Sequence, residues 1–225
     1  MQARAVIARL FDRWLWRTPR QRARRLAIFA GVERSSATDL RLAARACSSP
    51  ERAVAYLRHA RDELRHTQLF LGSATAIAAQ HGLSRPAPPS AACEGLFERL
   101  GELDFLAFVH LAERRGREQF EIHARTHARA GRTELAQMFE AIIADERHHE
   151  RYSGKLLLEL AGSERTATER TRAMRLWELR RAFVRLAHAN GAALFACAAG
   201  VLYVLVTPLR LLLPRERDRA LSSER

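Results

Sequence analysis

The sequence predicts an all-α protein built on a four-helix bundle. Apolar residues recur at helical spacing in four long segments, and no segment shows the alternation of a β-strand. One linker rich in proline, residues 82–90, divides these segments into two pairs. Four long helices with one long middle connection are typical of a bundle whose two hairpins are joined by a crossover. We therefore expect a four-helix bundle with a long crossover.

Turn and capping signals set the predicted helix ends. The first helix begins after Thr18-Pro19 and ends near Ser48, and Ser48-Ser49-Pro50 caps the second, which ends near His81. The third and fourth helices are predicted at 94–130 and 132–161, interrupted by Gly131 and closed by Gly162.

Segments outside the bundle complete the predicted organisation. Residues 1–18 form an amphipathic helix that docks on an anionic membrane or on the protein's own core. The bundle occupies 19–162, and a helical segment with an apolar run follows at 163–213, interrupted by Pro208. The uncharged stretch within this apolar helix is either a membrane anchor or a buried fifth helix. Residues 214–225 form a charged tail.

Charge and cysteine usage narrow the classes of function. The net charge of +13 comes almost entirely from arginines spread over the whole chain, with Lys155 the only lysine, so no dedicated basic patch is indicated. Cys47, Cys93 and Cys197 are far apart and suggest neither a disulfide framework nor a thiolate metal site. No secretory signal is recognised. We expect a cytoplasmic protein, or one attached to the cytoplasmic face of a membrane.

Two Glu-x-x-His tetrads, Glu63 to His66 and Glu146 to His149, are the main chemical signal. Residues three apart share a helix face, so each Glu and His can bind one ion together. With 19 glutamates and nine histidines, about one such spacing is expected by chance, so the tetrads are weak by themselves. Heptad steps from both tetrads, however, reach apolar residues that should face the core.

Glu33 and Glu113 are the predicted partners of the tetrads. Each interrupts an apolar stripe, and each lies about as far before its hairpin turn as a tetrad lies after it. Antiparallel helices would bring these carboxylates and imidazoles to one level, where burial is costly without bound metal. Oxygen-rich ligands with two histidines suit iron, with manganese as the alternative. The predicted metal ligands are Glu33, Glu63, His66, Glu113, Glu146 and His149.

This residue set resembles the ferritin-like di-iron carboxylate superfamily, which includes rubrerythrins and di-iron hydroxylases, over residues 20–161. The resemblance implies two iron ions, with catalysis at the di-iron centre and no separate catalytic residue. The run Asp62-Glu63-Leu64-Arg65-His66 is similar to the D/E-E-x-R-H signature of oxygen-activating members, in which the first acid supports a ligand histidine. Asp145 and Arg147 accompany the second tetrad, although His148 stands where that signature has arginine. The residues predicted to support the ligands are Asp62, Arg65, Asp145 and Arg147. The alternative interpretation is that Asp62 and Asp145 are ordinary solvated acids.

Three functions follow as alternatives. The first is O₂-dependent hydroxylation or oxidation of an unidentified substrate. A membrane-bound tail would favour a lipophilic substrate. The second is rubrerythrin-like or ferritin-like iron binding, with peroxide reduction, ferroxidase activity or storage. Third, residues 112–120 are similar to the third helix of tRNA hydroxylases, which keeps a tRNA substrate as a less favoured partner. A further hypothesis is a membrane-tethered interaction protein whose metal is structural. The sequence does not identify the electron donor, and a homodimer is one possible assembly.

Overall fold

The computed structural model describes residues 15–89 and 95–212, and every regular element in that part of the chain is an α-helix. The predicted helix at 1–18 lies mostly outside the described residues, and the tail at 214–225 lies wholly outside them. The helices are α1 (Pro19–Ala46), α2 (Pro50–Gln80), α3 (Leu96–Leu100), α4 (Glu102–Arg129), α5 (Thr133–Ala161) and α6 (Glu164–Leu212).

Helix caps lie where the sequence predicts them. Thr18 accepts a hydrogen bond from the Gln21 N–H in a capping box, and α1 begins with a proline. Ser49 caps α2 in the same way, by accepting from the Arg52 N–H. Gly162, with a φ of 71°, ends α5 in the left-handed conformation that glycine adopts without strain. The predicted ends of these helices are therefore confirmed to within a few residues.

The third predicted helix is wrong in one respect, because 94–130 is not continuous. Gly101 has a φ of 74° and a ψ of 162°, and it separates the short α3 from α4. Immediately after this break, the Glu102 carboxylate accepts hydrogen bonds from Arg52 (2.6 Å) and Tyr56 (3.0 Å) on α2. These hydrogen bonds fix the start of α4 against α2.

The helices form two hairpins, α1 with α2 and α4 with α5, that pack on each other. Side-chain contacts between α2 and α5 run in opposite senses along the two helices. His59 meets Tyr152 near one end, and Ser73 meets Met138 near the other. These two helices are therefore antiparallel, and they bring both tetrads to one level.

The described part of the connection between the hairpins runs along α1. Leu83 and Arg20 line one surface groove near the start of α1, Pro89 packs on Gly31, and the Gly95 N–H donates to the Asp39 carboxylate at 3.0 Å. A Cβ at Gly31 would lie 3.0 Å from the Pro89 carbonyl oxygen, closer than most Cβ contacts, so glycine allows this approach without a shift of the segment. The segment therefore crosses much of the bundle's length, and α4 runs in the same direction as α2.

The chain divides into two compact units, Met1–Arg175 and Leu176–Arg225, so the first extends past the predicted limit at 162. Met174, near its end, is buried. In the second unit, Phe183 and Phe195 are 72% and 76% exposed. Helix α6 continues through Pro208, where an interruption was expected. No helix in the described residues has both the length and the apolarity needed to cross a membrane.

Candidate metal centre

Seven buried carboxylates and imidazoles from four helices meet inside the bundle. All six residues predicted as metal ligands belong to this cluster, which also contains one histidine that the sequence analysis did not select. The members are Glu33 on α1; His59, Glu63 and His66 on α2; Glu113 on α4; and Glu146 and His149 on α5.

The cluster contains two groups of four residues, each compact enough to surround one ion. We call the group of His59, Glu63, Glu113 and His149 position 1. Position 2 is formed by Glu33, Glu63, His66 and Glu146. In each group the ligand atoms lie within 4.8 Å of one another, which suits donors around an ion with bonds of about 2.1 Å.

The two tetrad glutamates face both tetrad imidazoles. Glu146 places Oε1 3.4 Å from Nδ1 of His66 and Oε2 3.6 Å from Nδ1 of His149. Glu63 does the same, with Oε2 3.8 Å from His66 Nδ1 and Oε1 3.7 Å from His149 Nδ1. Each carboxylate therefore presents one oxygen to each imidazole, and Glu63 is a member of both positions.

Two aspartates hold the tetrad histidines in a crosswise arrangement. Asp62 on α2 lies 3.3 Å from Nε2 of His149 on α5, and Asp145 on α5 lies 3.1 Å from Nε2 of His66 on α2. An Nε2–H that donates to a carboxylate leaves Nδ1 as the atom with a free lone pair. Both aspartates thus act on the histidines rather than as ordinary solvated acids, and both Nδ1 atoms point into the cluster.

Of the two arginines predicted near the site, only Arg65 contacts these aspartates. Its guanidinium lies 2.5 Å from Asp145 and 3.3 Å from Asp62, so it fixes both. Arg147 instead donates to Glu121 at 3.2 Å. From its place on α5, its side chain reaches a carboxylate of α4 rather than one of α2.

His59 is the functional candidate that the sequence analysis missed. Its Nε2 lies 2.8 Å from Glu63 Oε1 and 3.4 Å from Glu113 Oε1. A signal for it was available, because His59 lies one heptad before His66 and thus on the same helix face. A heptad step back from His66 therefore reaches a second imidazole on the buried face of α2.

Burial and close packing separate the protonation states of the four carboxyl groups. Burial, reinforced by nearby carboxylates, raises the pKa of Glu33 and Glu146 well above the usual range. Burial alone would also raise the pKa of Glu63 and Glu113. Hydrogen bonding from Glu33 and from His59 outweighs it for Glu63, and the charge of His59 outweighs it for Glu113, so both pKa values are lowered. Glu33 and Glu146 are therefore the carboxyl groups that hold a proton more strongly, and Glu63 and Glu113 are the ones that lose it more readily.

The imidazoles at position 1 balance those two carboxylates. Burial alone lowers the pKa of His59 and His149, but Glu113 and the glutamates around it raise both to about 10. Two imidazolium cations then face two carboxylates, and the cluster is neutralised by protons. Four ionised carboxylates would equally neutralise two divalent cations.

Three buried atoms in the cluster lack a hydrogen-bond partner among the described residues. They are Oε2 of Glu63 and Nδ1 of His66 and His149. Buried polar atoms without a partner are costly in a protein interior, and these three atoms face the positions. The residues present therefore fit a metal ion, and the buried His and Glu groups could hold one.

Comparison with protein-family models, with curated proteins and with solved structures gave no significant match for this chain.

Proposed function

We propose that this chain is a ferritin-like di-iron protein that activates O₂ to hydroxylate or oxidise a substrate. The observation that carries the proposal is the pair of tetrad glutamates, each of which presents one oxygen to each inward-facing imidazole. A single ion would need only one of these glutamates between two histidines. Two such carboxylates, with Glu33 and Glu113 at the outer ends, fit a pair of ions.

The donor set supports iron as the metal. Each position combines imidazole nitrogen with carboxylate oxygen, a mixture that suits iron and leaves coordination places for other molecules. Manganese is the alternative, because carboxylate oxygens suit it too. When bound, two ferrous ions supply the electrons with which O₂ is reduced.

The chain's own residues would hold, orient and shield this centre. Glu63 would bind metal at both positions and Glu146 at position 2, while Asp62 and Asp145 keep each imidazole in the tautomer whose Nδ1 faces inward. All seven members of the cluster are at most 7% exposed, so bulk water is excluded from their ligand atoms.

Metal content and O₂ consumption test the proposal. The full chain, loaded anaerobically with ferrous iron and desalted, should retain about two irons and consume O₂ on mixing. Glu63→Ala and His149→Ala should lose most of the bound iron, whereas Arg147→Ala, which pairs with Glu121 outside the cluster, is the matched control. Full iron retention in both cluster variants contradicts the site, and iron far above two per chain indicates storage instead.

A further inference from the structure

His59 occupies a place in the cluster that neither tetrad accounts for. It is 1% exposed, and its ring centroid lies 3.8 Å from that of His149. Its Nε2 faces Glu63 Oε1 and Glu113 Oε1, and the same two carboxylates lie 3.7 and 3.5 Å from Nδ1 of His149. Two imidazole nitrogens from different helices therefore converge on the carboxylates of position 1.

Tyr152 holds the other side of the His59 ring. Its hydroxyl lies 2.5 Å from Nδ1 of His59, and the tyrosine approaches from α5 while the histidine belongs to α2. A ring fixed between a hydroxyl and two carboxylates has one orientation. With Nδ1–H donating to the Tyr152 oxygen, Nε2 presents its lone pair to position 1.

We infer that His59 is a seventh protein ligand and that it makes the two metal positions unequal. Position 1 then has two imidazoles and two carboxylates, while position 2 has one imidazole and three carboxylates. Imidazole favours the later first-row metals, and carboxylate is more tolerant of manganese. Position 1 is consequently the tighter site, and it is filled first. This inference rests on the proposed function only in requiring that the cluster binds metal.

Cobalt(II) alone is a suitable probe, because its visible absorption reports the number and type of its ligands without any turnover. The full-length, metal-free chain is titrated with cobalt(II), and bound metal is counted after desalting. His59→Ala and His59→Gln are compared with His110→Ala, since His110 contacts the Glu150 carbonyl oxygen outside the cluster. Circular dichroism verifies that each variant is folded, and the glutamine variant retains a polar side chain if the alanine variant does not fold.

The wild type should bind two cobalt ions in two distinguishable steps. Replacing His59 should weaken the tighter step by about tenfold or more, change the spectrum of the first equivalent, and leave the second step in place. Exogenous imidazole should restore the first spectrum in the alanine variant. Tyr152→Phe should shift that spectrum and weaken the same step by a smaller factor, because the phenol acts only through His59.

The outcomes separate the inference from the proposed function. Two cobalt ions bound by His59→Ala and His59→Gln with unchanged affinities and spectra overturn the role of His59, while the di-metal site stands. If His110→Ala weakens the tighter binding step as much as the His59 variants do, the role of His59 is also overturned, because the effect then arises from packing. A wild type that binds no metal refutes the proposed function itself.

Discussion

Loading the cluster with two divalent ions should release at least two protons, so metal affinity should rise with pH. Metal ligands must give up their protons before they bind. In the metal-free cluster the pKa values of Glu33 and Glu146 are raised by burial and by neighbouring carboxylates. The pKa values of His59 and His149 are about 10.

The number of protons follows from the charge balance. The metal must displace the protons of two imidazolium cations, which gives at least two protons for two ions, and the raised pKa values of Glu33 and Glu146 can only add to this number. Because both histidine pKa values are raised, the proton competes with metal throughout the range below about pH 10. The affinity for metal therefore increases as pH rises and levels off above about pH 10. Near neutral pH, the product of the two association constants should increase by about 10²-fold or more per pH unit.

Calorimetry with cobalt(II) in two buffers of different ionisation enthalpy measures these protons directly. The difference between the apparent binding enthalpies, divided by the difference between the buffer enthalpies, gives the number released at constant pH. Glu63→Ala, which lacks the carboxylate shared by both positions, should release far fewer. A wild type that binds two ions at pH 7 but releases fewer than two protons would refute the reasoning, because the two imidazolium cations would then be absent.

Other residues give sharper local tests. Asp62→Asn and Asp145→Asn should each weaken cobalt binding by about 10–100-fold, because each aspartate orients a histidine. The control Arg147→Ala should bind cobalt as the wild type does. An equal loss of affinity in that control would contradict the role of the two aspartates. Gly31→Ala should destabilise the fold by about 1–3 kcal/mol in urea unfolding, since the new Cβ would lie 3.0 Å from the Pro89 oxygen. Gly116→Ala, with nothing within 4 Å, should instead stabilise α4 by about 0.5–1 kcal/mol, and a loss of stability at Gly116 like that at Gly31 would argue against this packing.

Local signals explain why much of the fold could be predicted. Helix ends depend on a few neighbouring residues, such as Ser49 with Pro50 or Gly162, and these act the same way in most contexts. The break at Gly101 was missed because its cause is not local. Glu102 is held by Arg52 and Tyr56 of another helix, a contact that no short stretch of sequence displays.

The site could be predicted as far as helix periodicity reaches. A charged residue on an apolar stripe must face the core, and this rule placed Glu33 and Glu113 inside without any motif around them. Helix periodicity does not indicate which neighbouring side chain each supporting residue contacts. Arg65 and Arg147 hold similar places near their tetrads, yet one reaches across to α5 and the other pairs with Glu121. The packing partner of a flexible arginine depends on tertiary structure.

Metal binding should also stabilise the bundle, because it replaces a cluster of buried charges and orphaned lone pairs with bonds to cations. A ligand that binds only the folded state at 100 times its Kd contributes about 2.7 kcal/mol, so two ions contribute about 5 kcal/mol. In a chain of this size 1 kcal/mol shifts Tm by about 2–4 °C, which gives an increase of about 10–20 °C. Thermal unfolding followed by circular dichroism, with and without cobalt(II), measures the shift. Glu63→Ala should show little of it. An equal rise in that variant would mean that cobalt acts at some other site on the chain, because Glu63 is the one residue that belongs to both positions.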